Sequence, residues 1–181
     1  SGTYIKPKFY TKILDHNGNV LLDNTNSESH TVIKETTAWL LTSAMEDVMT
    51  SGTGKKAYFG GSMAQAGKSG TTTSSRDALF AGYTPYYTCA VWGGYDDNSV
   101  QKGHDTDYPK RIWKAVMSRL HEDLPYADFT QPSDIVAVAV CKESGKLPIE
   151  GVCSNDPRGN CVITEYFAKG TEPTEYCDHH T

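Results

Sequence analysis

Residues 66–72, Ala-Gly-Lys-Ser-Gly-Thr-Thr, limit what this chain can fold into more than any other stretch. Two glycines and paired β-branched threonines disfavour helix. Two apolar strand-like runs, Ala78–Thr84 and Thr88–Tyr95, follow closely and are joined at Pro85. The spacing predicts that residues 66–72 open a three-stranded antiparallel run. Side chains alternate along a strand, so Lys68 points to one face and Ser69 and Thr71 to the other. Gly70 brings no side chain and lets another backbone approach closely. A strand edge of this kind can hold an extended peptide by main-chain hydrogen bonds and grip its terminal carboxylate with hydroxyls and an ammonium. The plainer alternative is a solvated Gly/Ser/Thr-rich loop.

A phosphate loop is excluded by counting. The pattern G-x-x-x-x-G-K-[ST] followed by a helix needs glycine where this chain has Ser62. The Gly-Thr-Thr-Thr-Ser-Ser that follows Ser69 is a poor helix start.

The remaining pattern is that of an α+β chain. Tyr4–Leu14 reads as a strand, Asp15-His16-Asn17-Gly18-Asn19 carries an Asn-Gly turn signal, and Val20-Leu21-Leu22 returns as a hairpin. Asp23–Ser29 reads as polar loop. A helix over Lys34–Thr50 places Leu40, Leu41, Ala44, Met45 and Val48 at helical spacing, predicting a core stripe, and Gly52 ends it. A second helix begins near Thr106 or Asp107 with Pro109 in its first turn, and its predicted buried stripe is Ile112, Trp113, Val116, Met117 and Leu120. Pro125–Pro132 marks a boundary. Residues 1–128 are expected to form one domain portion and residues 129–181 a cysteine-rich C-terminal extension, with strand-like segments at Asp134–Cys141 and Cys161–Phe167.

With 181 residues the chain can bury a real core. Seventeen basic against 22 acidic residues give a net charge of -5, and with no basic run this argues against nucleic acid as a partner. No apolar run approaches the roughly 20 residues that span a bilayer. Of five cysteines, Cys89 lies alone in an apolar strand, while Cys141, Cys153, Cys161 and Cys177 crowd the last quarter. Four clustered cysteines in a loop-rich tail suggest two disulfides and an oxidising compartment. Four cysteines allow three pairings, and short range favours Cys153 with Cys161. A metal reading would use Cys177, His179 and His180, but the chain lacks paired C-x-x-C spacing. The expectation is therefore no metal and no cofactor.

The ordered series Met63–Thr72, Asp77–Pro85 and Val91–Asp96 resembles the transpeptidase domain of class A penicillin-binding proteins. Lys12–Asp15 with Gly18–Leu21 is similar to that domain's hairpin, and Met45–Gly54 to its helix ending in Gly-Thr-Gly. Phe167–His180 resembles the tail of Gram-positive members. The resemblance covers nearly the whole chain and implies the C-terminal half of the domain. That family works by serine acyl transfer, using S-x-x-K, S-x-N and K-[ST]-G motifs. By resemblance, Lys68 supplies positive charge at the reacting centre, the Ser69 and Thr71 hydroxyls bind the substrate carboxylate, Gly70 keeps the strand face open, Thr72 belongs to the same substrate-binding strand, and the Thr71 N–H serves as an oxyanion donor.

The same resemblance implies a peptidoglycan stem peptide as substrate, β-lactams as ligands of the full-length parent, and an N-terminal half of the domain as partner. It also implies a membrane-anchored parent at the outer face of the cytoplasmic membrane, carrying a glycosyltransferase. For the tail it implies Cys153 paired with Cys177, and Cys141 with Cys161. The chain departs from the family in two ways. No S-x-N occurs in it, and its one S-x-x-K, Ser99–Lys102, follows the Lys68 strand instead of preceding it. The isolated chain is therefore expected to be inactive. The alternatives are a non-catalytic extracytoplasmic module that binds peptide or partner, and a zinc-binding tail module, which metal analysis would test.

Overall fold

The computed structural model describes residues 2–61, 63–101 and 106–180. It divides into two compact units, Ser1–Ala38 with Asp134–Thr181, and Trp39–Ser133. It is an α+β fold in which every sheet is antiparallel among the described residues.

In the first unit, strands β1 (Thr3–Ile5), β2 (Lys12–Leu14), β3 (Val20–Asp23) and β4 (Ser29–Thr31) form two pairs, β1 with β4 and β2 with β3. The expected hairpin is present. The Asp15 carboxylate accepts the N–H groups of Asn17 and Asn19, each at 2.8 Å, and Gly18 takes a positive φ of 83°. The single strand expected over Tyr4–Leu14 is split into β1 and β2. Pro7 lies in the gap, and a proline has no N–H to donate to a ladder. The polar loop expected over Asp23–Ser29 ends in β4, whose Ser-His-Thr sequence carries no apolar alternation.

Helix α1 (Glu35–Thr50) follows. Its buried residues are Thr42 and Met49, whereas Leu41 and Ala44 are exposed. The expected core stripe is therefore rotated. Met49 enters the core, and the Thr42 hydroxyl bonds the Tyr83 hydroxyl at 2.8 Å.

In the second unit, β5 (Ala66–Thr71), β6 (Asp77–Tyr83) and β7 (Thr88–Gly94) form the expected three-stranded sheet in the order β5-β6-β7. Helix α2 (Tyr108–Leu120) packs on β6 and β7. Here too the stripe is narrower than expected. Pro109, Trp113, Met117 and His121, spaced four apart, are buried, while Ile112, Val116 and Leu120 are exposed. The sheet covers only one line of a wide apolar stripe. Met49, Ala57, Phe80, Trp113 and Met117 make the core, with the Phe80 and Trp113 rings edge to face at 5.4 Å. Such pairs stabilise beyond simple area burial.

The first unit also contains β8 (Ile135–Cys141) and β9 (Val162–Ala168), paired from Ile135↔Ala168 to Cys141↔Val162. The connection between these two strands carries Cys153 and Cys161.

Candidate functional site

Cross-strand partners share a face of a sheet, so the β5–β6 register fixes where each residue of the Lys68 segment lies. Lys68 stands opposite Ala81 and Gly70 opposite Leu79, while Ser69 stands opposite Phe80 and Thr71 opposite Ala78. Phe80 and Ala78 are fully buried. Ser69 and Thr71 therefore share the face that carries the core, and Lys68 shares the other with Leu79, Ala81 and the exposed Trp92. The alternation expected from the sequence holds. Only β6 pairs with β5 among the described residues, so the Lys68 strand lies at the edge of its sheet. Lys68 is exposed, and its ammonium donates to the Ser69 carbonyl at 3.1 Å.

The three glycines nearby differ in what demands them. A Cβ on Gly67 would lie 2.8 Å from the Phe80 ring, and one on Gly82 2.8 Å from the Trp113 ring. Both positions are closed by the core. A Cβ on Gly70 would meet only Leu79, at an ordinary 3.5 Å. Among the described residues of the second unit, none stands close enough to require a glycine at position 70.

Thr53 was not legible as a site residue. Its hydroxyl bonds the Ser69 hydroxyl at 3.1 Å. The Ser51–Gly54 link is pressed against the end of α1, since a Cβ on Gly52 would fall 2.8 Å from the Val48 Cα. The Gly-Thr-Gly after the helix was the available signal, but its meeting with β5 bridges 16 positions. The Thr72 hydroxyl, expected to face substrate, donates to the Asp77 carboxylate at 3.0 Å and accepts the Asp77 N–H at 2.8 Å. It is committed to holding the β5–β6 connection, and Asp77 in turn accepts the Trp92 indole N–H at 3.1 Å. Ser99 is tied to the Asp97 carboxylate through its N–H at 3.0 Å and through its hydroxyl. Lys102, the other half of the S-x-x-K match, and Ser62, which decides the phosphate-loop count, lie outside the described residues.

Two acidic groups of this unit are displaced in opposite directions. Burial pushes the Glu46 carboxyl up to about 7, reinforced by the negative charges of Asp128 and Asp47. Asp107, at the start of α2, is held down at about 2 by its bonds to Lys110, at 2.5 Å, and to Lys56.

In the tail, all the cysteines are free thiols. The expected Cys153–Cys177 and Cys141–Cys161 bridges are not formed. Instead, the sulfurs of Cys141, Cys153 and Cys177 gather around Nδ1 of His180, and Cys161 stands outside this group. The last of the five, Cys89, is half-buried in β7, as a thiol raised by burial.

A family description, the penicillin binding protein transpeptidase domain, matches residues 1–118. The chain belongs to the penicillin-binding protein transpeptidase family. A second description, penicillin-binding protein 1A, C-terminal domain, matches residues 131–181. The chain is 39% identical over 181 residues to penicillin-binding protein 1A of Clostridium perfringens, covering 100% of this chain and 22% of that protein. It is 32% identical over 190 residues to penicillin-binding protein 1A/1B of Bacillus subtilis, covering 96% of this chain and 20% of that protein. Its fold is that of the crystal structure of penicillin-binding protein 1A from Haemophilus influenzae, with a TM-score of 0.77 and 24% identity over 97% of this chain and 31% of the other. The chain thus spans about a fifth of the length of these curated relatives. Among the described residues no helix is long and apolar enough to cross a membrane.

Proposed function

We propose that this penicillin-binding chain is the carboxylate-gripping portion of a peptidoglycan D,D-transpeptidase. The observation that carries the reading is the Lys68–Thr71 strand, with its exposed ammonium and an edge unpaired by any strand among the described residues. Gly70, a glycine that its own unit does not demand, supports it, because a bare backbone is useful where an incoming peptide must approach closely. In this reading Lys68 lends positive charge to the reacting centre. Ser69 and Thr71 bind the terminal carboxylate of a stem peptide or the carboxylate of a β-lactam. The N–H of Thr71 is an oxyanion donor, a contribution of ~3 kcal/mol to the barrier. Thr72 acts through the loop that it clamps, and Thr53 orients the Ser69 hydroxyl.

The serine nucleophile belongs to another part of the full-length protein. Residues 1–128 are the transpeptidase portion and residues 129–181 an extension, and the parent works at the outer face of the cytoplasmic membrane. The exposed line Ile112, Val116 and Leu120 then lies against the rest of that domain.

Lys68→Ala in the full-length protein, followed by the rate of labelling with a fluorescent penicillin, tests this. Charge placed at the reacting centre stabilises the transition state more than the ground state. A fall on the order of 10²–10³-fold is expected, with only partial rescue by Lys68→Arg because a planar fork does not match an ammonium. Intact-mass analysis of the isolated chain with penicillin should show no adduct. Full-length protein that never labels would favour the non-catalytic binding module, and an unchanged rate in Lys68→Ala would remove this residue from the chemistry.

A further inference from the structure

We propose that Cys141, Cys153, Cys177 and His180 form a closed, structural zinc site that organises the tail. The backbone delivers each ligand separately. Cys141 ends β8 in a tight turn, where its N–H donates to the Lys146 carbonyl at 2.8 Å and its carbonyl accepts the Gly145 N–H at 2.7 Å. Gly145 supplies the positive φ of 71° that this turn needs. Cys153 heads a short 3₁₀ turn, its N–H bonded to the Ile149 carbonyl at 3.1 Å. A bridge between Leu147 and Tyr176 brings the end of the chain alongside, and the Cys177 N–H donates to the Leu147 carbonyl at 2.8 Å. His180 follows three residues later.

The four ligand atoms converge on one point. Nδ1 of His180 lies 3.5 Å from the sulfurs of Cys141 and Cys153 and 3.3 Å from that of Cys177. All four atoms lie within 4.8 Å of one another. Tetrahedral zinc, with Zn–S of about 2.3 Å and Zn–N of about 2.0–2.1 Å, sets sulfur and nitrogen ligands about 3.5 Å apart. One ring nitrogen makes one good hydrogen bond to a thiol, not three near-equal ones, so a shared centre accounts for the distances better. Three cysteines and one histidine are a ligand set of structural zinc sites. All four residues are buried, which leaves no open position for catalysis and marks the site as structural.

The surroundings fit the same reading. Asp156 Oδ2 stands 2.8 Å from the other ring nitrogen of His180. That buried nitrogen has no aligned hydrogen-bond partner, so the carboxylate serves it as a close counter-charge. A carboxylate behind a ligating histidine fixes the ring and raises its basicity. The Ile149 N–H donates to the Cys153 sulfur at 3.3 Å, a bond that favours thiolate. Cys161 instead bonds the Gly159 carbonyl at 3.4 Å. A disulfide within the group would use two sulfurs and leave the third facing the imidazole unused. Binding releases the protons that the ligands carry, since zinc takes thiolate and neutral imidazole.

The test is metal analysis of the whole chain, purified reduced and then titrated with zinc or cobalt(II) alone. One zinc per chain is expected, and cobalt should give tetrahedral ligand-field bands with thiolate charge transfer. Cys141→Ser, Cys153→Ser, Cys177→Ser and His180→Ala should abolish both. Cys161→Ser, Cys89→Ser and His179→Gln should leave them intact. Asp156→Asn should weaken zinc affinity roughly 10-fold. Should the serine variants fail to fold, His180→Cys carries the test. It should keep the metal and add thiolate-to-cobalt absorption. A reduced chain that takes up neither metal, or quartet variants that bind as tightly as the parent chain, would overturn the proposal. So would zinc-free protein carrying a disulfide between two of the four. None of these outcomes depends on the transpeptidase reading.

Discussion

The Lys68 sheet and the cysteine tail are both small β structures, but different materials hold them. In the sheet unit the core is ordinary apolar packing, Phe80 and Trp113 against Met49, Met117 and Ala57. In the tail the buried cluster consists of Cys141, Cys153, Cys161 and Cys177, with Ile149 and Val162 packed against it. Sulfur-rich clusters of that size bury little apolar surface, and structures of this scale need a staple. The sheet unit holds together with one strand edge left bare, whereas the tail gathers its most reactive side chains in its own interior.

The sharpest way to break this contrast is to remove the proposed metal. Structural zinc supplies about 10–16 kcal/mol of apparent binding free energy in small modules, so a strong chelator should unfold the Cys141–His180 region. Hydrogen exchange should lose protection there while residues 66–94 stay protected. Coincident loss in both places would show that the two regions unfold as one and would break the contrast, and a tail that keeps its protection would show that it does not depend on metal. The reciprocal experiment is Phe80→Ala, which should cost about 3–5 kcal/mol in denaturant unfolding of the sheet unit and leave zinc content unchanged.

A smaller effect separates fold from site within the sheet. Gly82→Ala forces a methyl to within 2.8 Å of Trp113 and should destabilise by about 1–3 kcal/mol. Gly70→Ala should stay within about 0.5 kcal/mol, yet slow penicillin labelling of the full-length protein. Equal stability losses in both variants would remove the argument that Gly70 is kept open for a ligand.

The smallest expected change is electrostatic. The folded Glu46 carboxyl titrates near 7 because burial, Asp128 and Asp47 disfavour its charge, whereas the unfolded carboxyl titrates in the ordinary range, about 4.3. The penalty is absent below the unfolded value, grows as pH rises between the two, and is complete above the folded value. Glu46→Gln should therefore stabilise the chain above pH 7, by about 1–2 kcal/mol after solvent screening. It should make no difference near pH 4. A gain that does not vary with pH would place its origin in packing.

What could be read from the sequence was local in character. The Asn-Gly hairpin, the two helices, and the three-stranded run with Lys68 facing away from Ser69 and Thr71 all rest on periodicity and turn chemistry within about 20 residues. The helix faces were misjudged because periodicity gives the width of an apolar stripe but not which line of it meets a neighbour. Leu41 and Ile112 fit the pattern as well as Met49 and Trp113 do.

By itself, the sequence determined both helices, the Asn-Gly hairpin and the three strands from Ala66 to Gly94, because backbone preference and side-chain alternation act between near neighbours, and its ordered motifs carried the family. Only the tertiary structure decided that Thr53 meets Ser69, that Thr72 turns to Asp77, and that three tail cysteines gather on His180. Those partners stand 16, 5 and up to 39 positions apart. For the cysteines in particular, spacing allows three pairings and favours the short-range one, Cys153 with Cys161, whereas the folded backbone makes no pair and brings the sulfurs of Cys141, Cys153 and Cys177 together at His180.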